Sequence, residues 1–202
     1  MSNPAGPPPD PPADRIETIH AAAIEQFSIN GFSGTSMAQI ADAAGMSRPA
    51  LYQYFRNKED IFTSAYTAMM QEFVDRALDA LREPGSTADQ LDGCLQQVYG
   101  NLFERTSTWP HADEIVDAKT TYAAAAIAEV LAPLRQALDH YLRARHPGRT
   151  AAARNRRAAW FELLELSPRG FKLDEPPSDV FRRRLTALAS SVAADIEAAR
   201  PA

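Results

Sequence analysis

Apolar residues recur every three or four positions along most of this chain, and that spacing predicts helices from one end to the other. Ile16, Ile19, Ala23 and Phe27 line one face of a helix from Asp14 to about Ile29, which Asn30-Gly31 stops. Met37, Ile40, Ala41 and Ala44 share a face of a short second helix. Thr35 or Ser36 supplies its hydroxyl cap, and Gln39 stands three residues after Ser36, the spacing of a capping box. Gly45 ends that helix, because glycine takes the left-handed conformation a C-cap needs. Ser47 caps a third, with Pro49 in the first turn, where a missing N–H costs nothing, and Leu51, Tyr52 and Phe55 turned inward. Asn57 caps a long helix from Lys58 to about Arg82, striped by Phe62, Ala65, Met69, Phe73 and Ala77. Its roughly 24 residues, at about 1.5 Å each, would span about 36 Å.

Further helices are expected over 87–104, where Thr87 and Gln90 have capping-box spacing, and over 111–118, 120–146 and 150–167. A last one runs from Ser178, as cap, to about Ala199. Pro133 should kink or divide its helix, and residues 168–177 read as a loop. The pattern is that of an all-α protein of about nine helices.

Composition agrees. Glycine is scarce, 9 in 202 residues, which favours helix, and the length allows one or two domains with a sizeable core. Residues 1–13 hold Pro4, Pro7, Pro8, Pro9, Pro11 and Pro12 and read as a disordered or polyproline II arm. A minor-groove arm is the functional alternative, against which stands the lack of Arg or Lys before Arg15. The net charge of −5 argues against DNA binding by bulk charge. It leaves room for a local basic face: Arg48, Arg56 and Lys58 stand against Asp42 alone between residues 35 and 58. Cys94 is the single cysteine, so no internal disulfide forms and cysteine-rich metal motifs are excluded. No apolar run approaches the roughly 18 residues of a membrane span, and the N-terminus lacks the regions of a signal peptide. A cytoplasmic protein is expected.

The second and third helices, joined by a short glycine-containing turn, make a helix-turn-helix pattern. In that motif the second helix enters the DNA major groove and its N-terminal residues reach base edges. Here those residues are Ser47, Arg48, Pro49 and Ala50, and Arg48 can bind guanine O6 and N7 bidentately. Tyr54, Arg56 and Lys58 are spaced to meet phosphates, which position a protein without reading sequence. A plain αα-corner is the alternative reading of the helix pair.

Asn30-Gly31-Phe32, Gly34-Thr35-Ser36-Met37, Ile40-Ala41, Ala44-Gly45-Met46-Ser47 and the run from Leu51 to Glu59 (LYQYFRNKE) resemble the N-terminal domain of the TetR family of bacterial transcriptional regulators. The resemblance runs without a gap from about Arg15 to about Tyr66; beyond it, only length and helical content agree. It implies a helix-turn-helix DNA-binding domain over 14–58 and a helical ligand-binding and dimerisation domain over 59–202. The residues expected on DNA are Thr35, Ser36, Ser47, Arg48, Pro49, Ala50, Tyr52, Tyr54 and Lys58. It further implies a homodimer paired through the two long C-terminal helices, a palindromic double-stranded operator, and release by an apolar or aromatic small molecule. A repressor is the expectation; a DNA-binding regulator governed by a protein partner, without such an effector, is the alternative.

Other chemistry finds little support. No P-loop, Rossmann glycine fingerprint or HExxH occurs, and His20, His111, His140 and His146 are scattered, so neither an enzyme, a metal site nor a cofactor is expected. Cys94 reads as a small buried residue rather than a nucleophile. An effector pocket between helices needs apolar and aromatic walls with a few polar groups. Tyr99, Phe103, Trp109, His111, Tyr122 and Trp160 are the candidates, each with plain packing as its alternative. The arginines at 149, 154, 156 and 157 form a basic run that reads as a solvated face or as a source of ion pairs between subunits.

Overall fold

A computed structural model of the chain describes residues 13–199, and every regular element among them is helical. The Pro-rich arm expected over 1–13 lies, apart from Ala13, outside the described residues. The helices form two compact units. One comprises the residues up to Tyr66 together with Trp109–Ala124, and the other Thr67–Thr108 with the residues from Ala125 onward.

The first unit is built from α1 (Ala13–Gly34), α2 (Met37–Ala43), α3 (Arg48–Leu51), the opening turns of α4 (Lys58–Ala80) and α7 (Ala112–Ala118). Its core is aromatic: Phe27, Phe32 and Phe62 meet pairwise with ring centroids 5.3–5.7 Å apart. Ile19, Ala23, Ile40, Ala41, Leu51 and Ile61 surround them, all fully buried. The unit reaches beyond the 14–58 expected of the DNA-binding domain for two physical reasons. Ile61 and Phe62 pack into this core, and α7 lies against α1, where Glu114 accepts the Ser33 N–H at 2.9 Å. Tyr122 adds to the same cluster by stacking on Phe32 at 5.2 Å.

Two glycines shape the head. Gly31 has φ +71° and ψ 175°, so the helical path breaks there, at the expected stop, although helix resumes to Gly34. Gly45 has φ +64°. Its N–H donates to the Asp42 carbonyl at 3.1 Å and Met46 N–H to Ala41 at 2.9 Å, the paired bonds of a Schellman cap.

In the second unit α5 (Thr87–Leu95) continues through a π-helical turn, Gln96–Gly100, into α6 (Asn101–Thr106). This rod packs along α10 (Ser178–Ala198), burying Leu91, Leu95 and Val98 beside Phe181, Leu185, Val192 and Ile196. Arg182 pins the π turn: it donates to Gln96 Oε1 at 3.0 Å and Asn101 Oδ1 at 2.9 Å and also pairs with Glu104. A Cβ on Gly100 would lie 2.9 Å from the Arg182 guanidinium, so the glycine admits that side chain. The unit is completed by α8 (Ala124–Arg145) and α9 (Ala151–Gly170).

Local expectations shift in five places. The cap of α5 is Ser86 with Asp89, one residue before the expected Thr87 and Gln90; Thr87 is buried instead. Residues 119–123 form a π turn that joins α7 to α8 without a break. Pro133 stands on the exposed side of α8, which stays continuous. α9 carries Pro168 inside and ends at Gly170, a turn later than expected, and Pro177 rather than Ser178 precedes α10 as its cap. Among the described residues no helix is long and apolar enough to cross a membrane.

Gly45→Ala meets nothing within 4 Å, so its cost is the left-handed backbone alone, about 1–2 kcal/mol in denaturant unfolding. Gly31→Ala adds to that penalty a Cβ 2.8 Å from the Glu114 carboxylate and should lower the midpoint further. His20 supplies a pH dependence. Burial is the main cause that lowers its pKa from 6.5, with Glu17 opposing, while its Nε2 bonds Ser64 Oγ at 2.8 Å. The unfolded chain therefore takes up the proton first, so stability from this group is complete above about pH 6.5 and falls as the pH drops below it. Melting followed from pH 7.5 to 5 should show that decline, and His20→Gln should flatten it.

Candidate DNA-binding surface

α2 is fixed at both ends. Ser36 Oγ accepts the Gln39 N–H at 3.3 Å, and the Gln39 side chain accepts the Ser36 N–H at 2.9 Å, the reciprocal bonds expected from the spacing. The Schellman turn at Gly45 then reverses the chain, and Ser47 caps α3 by accepting the Ala50 N–H at 3.3 Å. α3 is a single turn. After Leu51 the bonds tighten to three-residue spacing, Gln53 N–H to Ala50 and Tyr54 N–H to Leu51, so the helix is shorter than one carrying Tyr52 and Phe55 as expected from sequence. A one-turn helix is not stable by propensity. Leu51, with no exposed surface, anchors it in the core against α2.

That anchor turns the neighbouring side chains outward. Ser47, Arg48, Pro49 and Tyr52 are exposed and Ala50 is half-buried, so the expected base-edge residues share one accessible surface. Tyr52 does not turn inward as read from the sequence; it is 44 % exposed and accepts a hydrogen bond on its hydroxyl from Arg48 Nη2 at 3.2 Å. The Arg48 guanidinium lies 5.5 Å from the centroid of the same ring. Gln53 is exposed as well, just past the end of α3. Sequence reasoning passed over it. Its signal is a side chain able to bind adenine bidentately, five residues after Arg48.

Three expected DNA contacts stand differently. Thr35 is 2 % exposed, and its hydroxyl donates to the carbonyls of Gly31 at 2.7 Å and Gln26 at 3.1 Å. It closes the end of α1 and has no surface to offer a phosphate. Lys58 Nζ donates to the Phe32 carbonyl at 2.6 Å and lies 4.4 Å over the Phe32 ring, so it must leave that seat to reach DNA. Tyr54 is half-buried. Arg56 projects into solvent, paired with Asp60 at 2.9 Å, while Arg48 has no carboxylate partner among the described residues.

The six effector candidates do not gather in one unit. Trp109, His111 and Tyr122 belong to the first, where His111 Nδ1 lies 3.6 Å from Glu114 and Tyr122 stacks on Phe32. Tyr99, Phe103 and Trp160 belong to the second. Phe103 stacks on Phe181 at 4.2 Å, and Trp160 is buried with its indole N–H donated to Asp195 at 2.7 Å. Tyr99 lines a cavity, a void of about 40 Å³ walled by Leu95, Val98, Leu131, Leu134, Leu138 and Leu164. Sequence reasoning missed the leucines because they look like any helical core. Cys94 also lines it, with burial pushing its thiol up to about 12, and so offers no thiolate at neutral pH.

Residues 19–65 match the model of bacterial regulatory proteins of the tetR family. A fatty acid metabolism regulator protein of Bacillus subtilis is 33 % identical over 70 residues, 35 % of this chain and 36 % of that one. The matched stretch is thus about a third of that relative's length. Two solved structures share the fold over nearly the whole chain. The transcriptional regulator FadR from Bacillus subtilis, in complex with stearoyl-CoA, superposes with a TM-score of 0.59 at 21 % identity, covering 92 % of this chain and 99 % of that one. A transcriptional regulator from a Rhodococcus species gives 0.64 at 19 %, covering 89 % and 96 %. Through residues 19–65 the N-terminal domain is similar to the bacterial regulatory proteins of the tetR family.

Proposed function

We propose that this protein is a ligand-responsive transcriptional regulator, acting in the cytoplasm as a repressor that holds a palindromic operator as a homodimer. The observation that carries the proposal is the capped turn Ser47–Leu51, which buries its leucine and turns Arg48 outward with no carboxylate beside it. Ser47, Arg48, Pro49, Ala50 and Tyr52 form the reading surface, with Gln53 added to them. Ser36 supports α2, and Tyr54 and Lys58 are left as phosphate contacts, Lys58 only after leaving Phe32. Two copies would place α3 in successive major grooves, about 34–36 Å apart.

Pairing through α9 and α10 is supported by Leu163 and Leu166, which lie one turn apart on α9 and stay 46 % and 52 % exposed. An effector would act by binding unequally to the DNA-competent state and another. Tyr99 and the leucine-walled cavity of the second unit are its seat in this reading. FadR from Bacillus subtilis, a like-folded protein, is in complex with stearoyl-CoA. The volume of that cavity favours a second reading. About 40 Å³ is far below the roughly 300–1,000 Å³ of ordinary ligand sites. A regulator without a small-molecule effector, switched by a protein partner, would keep a core closed in this way.

Selection of bound genomic fragments, followed by binding titrations, tests the DNA assignment. Arg48→Ala should cost about 1–3 kcal/mol on the selected operator and relax preference at one base pair of each half-site. Unchanged base preference would remove Arg48 from the reading role. Lys58→Ala should weaken all sequences alike. The logarithm of affinity should fall with the logarithm of salt with a slope of about −0.9 per phosphate neutralised, a shallow dependence for so few unpaired cations. Leu163→Glu with Leu166→Glu should give a monomer in sedimentation and abolish operator binding.

A further inference from the structure

We propose that the seam between α8 and α9 binds an amphipathic anion, an acyl chain ending in a carboxylate or carrying a phosphorylated head. The inference rests on the ligand-responsive reading above and names the chemistry of its effector.

Two hollows lie end to end along this seam. The first is the leucine-walled cavity beside Tyr99. The second is an open groove of about 490 Å³, and Arg135 and Phe161 form a wall of both. The groove carries Arg135, Arg143, Arg154 and Arg157 against Asp139 and Glu162, four positive charges and two negative. That surplus of two stands in a chain whose net charge is −5. Arg154 and Arg157 belong to the basic run noted in the sequence, which the DNA-binding surface does not use. Among the described residues neither forms an ion pair. Arg154 donates to the Arg149 carbonyl at 2.6 Å, and Arg157 to the His146 and Gly148 carbonyls at 2.7 Å each. Those bonds leave the guanidinium charges uncompensated and hold them at the rim. Arginine in such a fork meets carboxylate and phosphate oxygens bidentately.

The partition between the hollows is polar. Arg135 pairs with Glu165, and Arg169 lies 3.7 Å from the same carboxylate. Tyr99, in the π-helical turn, donates its hydroxyl to the Glu165 carbonyl at 3.2 Å. π turns inside α-helices recur at functional sites, and this one carries Val98 and Tyr99 to the cavity wall. An anionic head in the groove competes with Glu165 for Arg135, and release of that pair opens the way past Phe161 for an apolar tail. The void holds a methylene or two as it stands, so a longer tail selects the conformation in which the partition has moved.

The test is calorimetric titration of the full-length protein with octanoate, octanoyl-CoA and coenzyme A, alongside operator binding. Binding of octanoate and octanoyl-CoA identifies a carboxylate-tolerant site; binding of octanoyl-CoA alone identifies the phosphorylated head as required. Either supports the proposal. Arg143→Glu with Arg154→Glu, both at exposed positions, should then weaken the acyl probe roughly tenfold or more with melting unchanged. Val98→Ile, which adds one methylene to the cavity wall, should weaken it in proportion to tail length. Coenzyme A binding as tightly as its octanoyl thioester would overturn the apolar half. Full acyl affinity in the charge-reversed variant would overturn the ionic half, and no binding of either acyl probe overturns the whole. Salt-sensitive operator binding without any acyl response sinks this inference and leaves DNA recognition standing; absence of operator binding sinks the regulator reading itself.

Discussion

Leu51 decides what the head of this molecule presents to its surroundings. Fully burying a leucine is worth about 1.5–3 kcal/mol. That exceeds what one turn of helix can gain from its own hydrogen bonds, given the cost of nucleation. The buried side chain seats α3 in the head core, against α2. Once it is seated, the helical path leaves Arg48, Pro49, Tyr52 and Gln53 no direction but outward. The Schellman turn at Gly45 and the Ser47 cap supply the geometry in which the leucine can reach its place.

The same economy governs charge in the head. An acidic chain cannot attract DNA by its overall field, and several head cations are already committed. Lys58 is held by the Phe32 carbonyl and ring, and Arg56 by Asp60. Arg48 is held only by Tyr52, a neutral partner, so its charge stays available while its direction is limited. Recognition built this way leans on placement of a few donors rather than on phosphate neutralisation.

The second unit is organised by a different constraint. A π turn would ordinarily be a weak point in a helix, and here Arg182 binds across it to Gln96, Asn101 and Glu104, with Gly100 making room. The turn redirects Tyr99 toward Glu165 and the leucine-walled void. Arg135, Arg169 and Glu165 close that void on its polar side.

Much of this was legible in the residues alone. The all-helical class, the capping box at Ser36, the glycine turn, the Ser47 cap and Asn57 as cap of α4 rest on bonds between residues no more than five apart. Such bonds depend on sequence spacing and little else. What the sequence could not give are relations set by packing over long separations. Thr35 is named by its motif as a contact, and the fold spends its hydroxyl on Gln26 and Gly31. Trp109, His111 and Tyr122 read as pocket residues, and burial of Ile115 and Ala118 beside α1 carries their stretch into the head unit. Arg135 and Glu165 are 30 positions apart, and only the apposition of α8 and α9 makes them an ion pair. Helical periodicity says which residues share a face. Which face meets which is decided by the summed burial of the whole core, and no local window of sequence contains that sum.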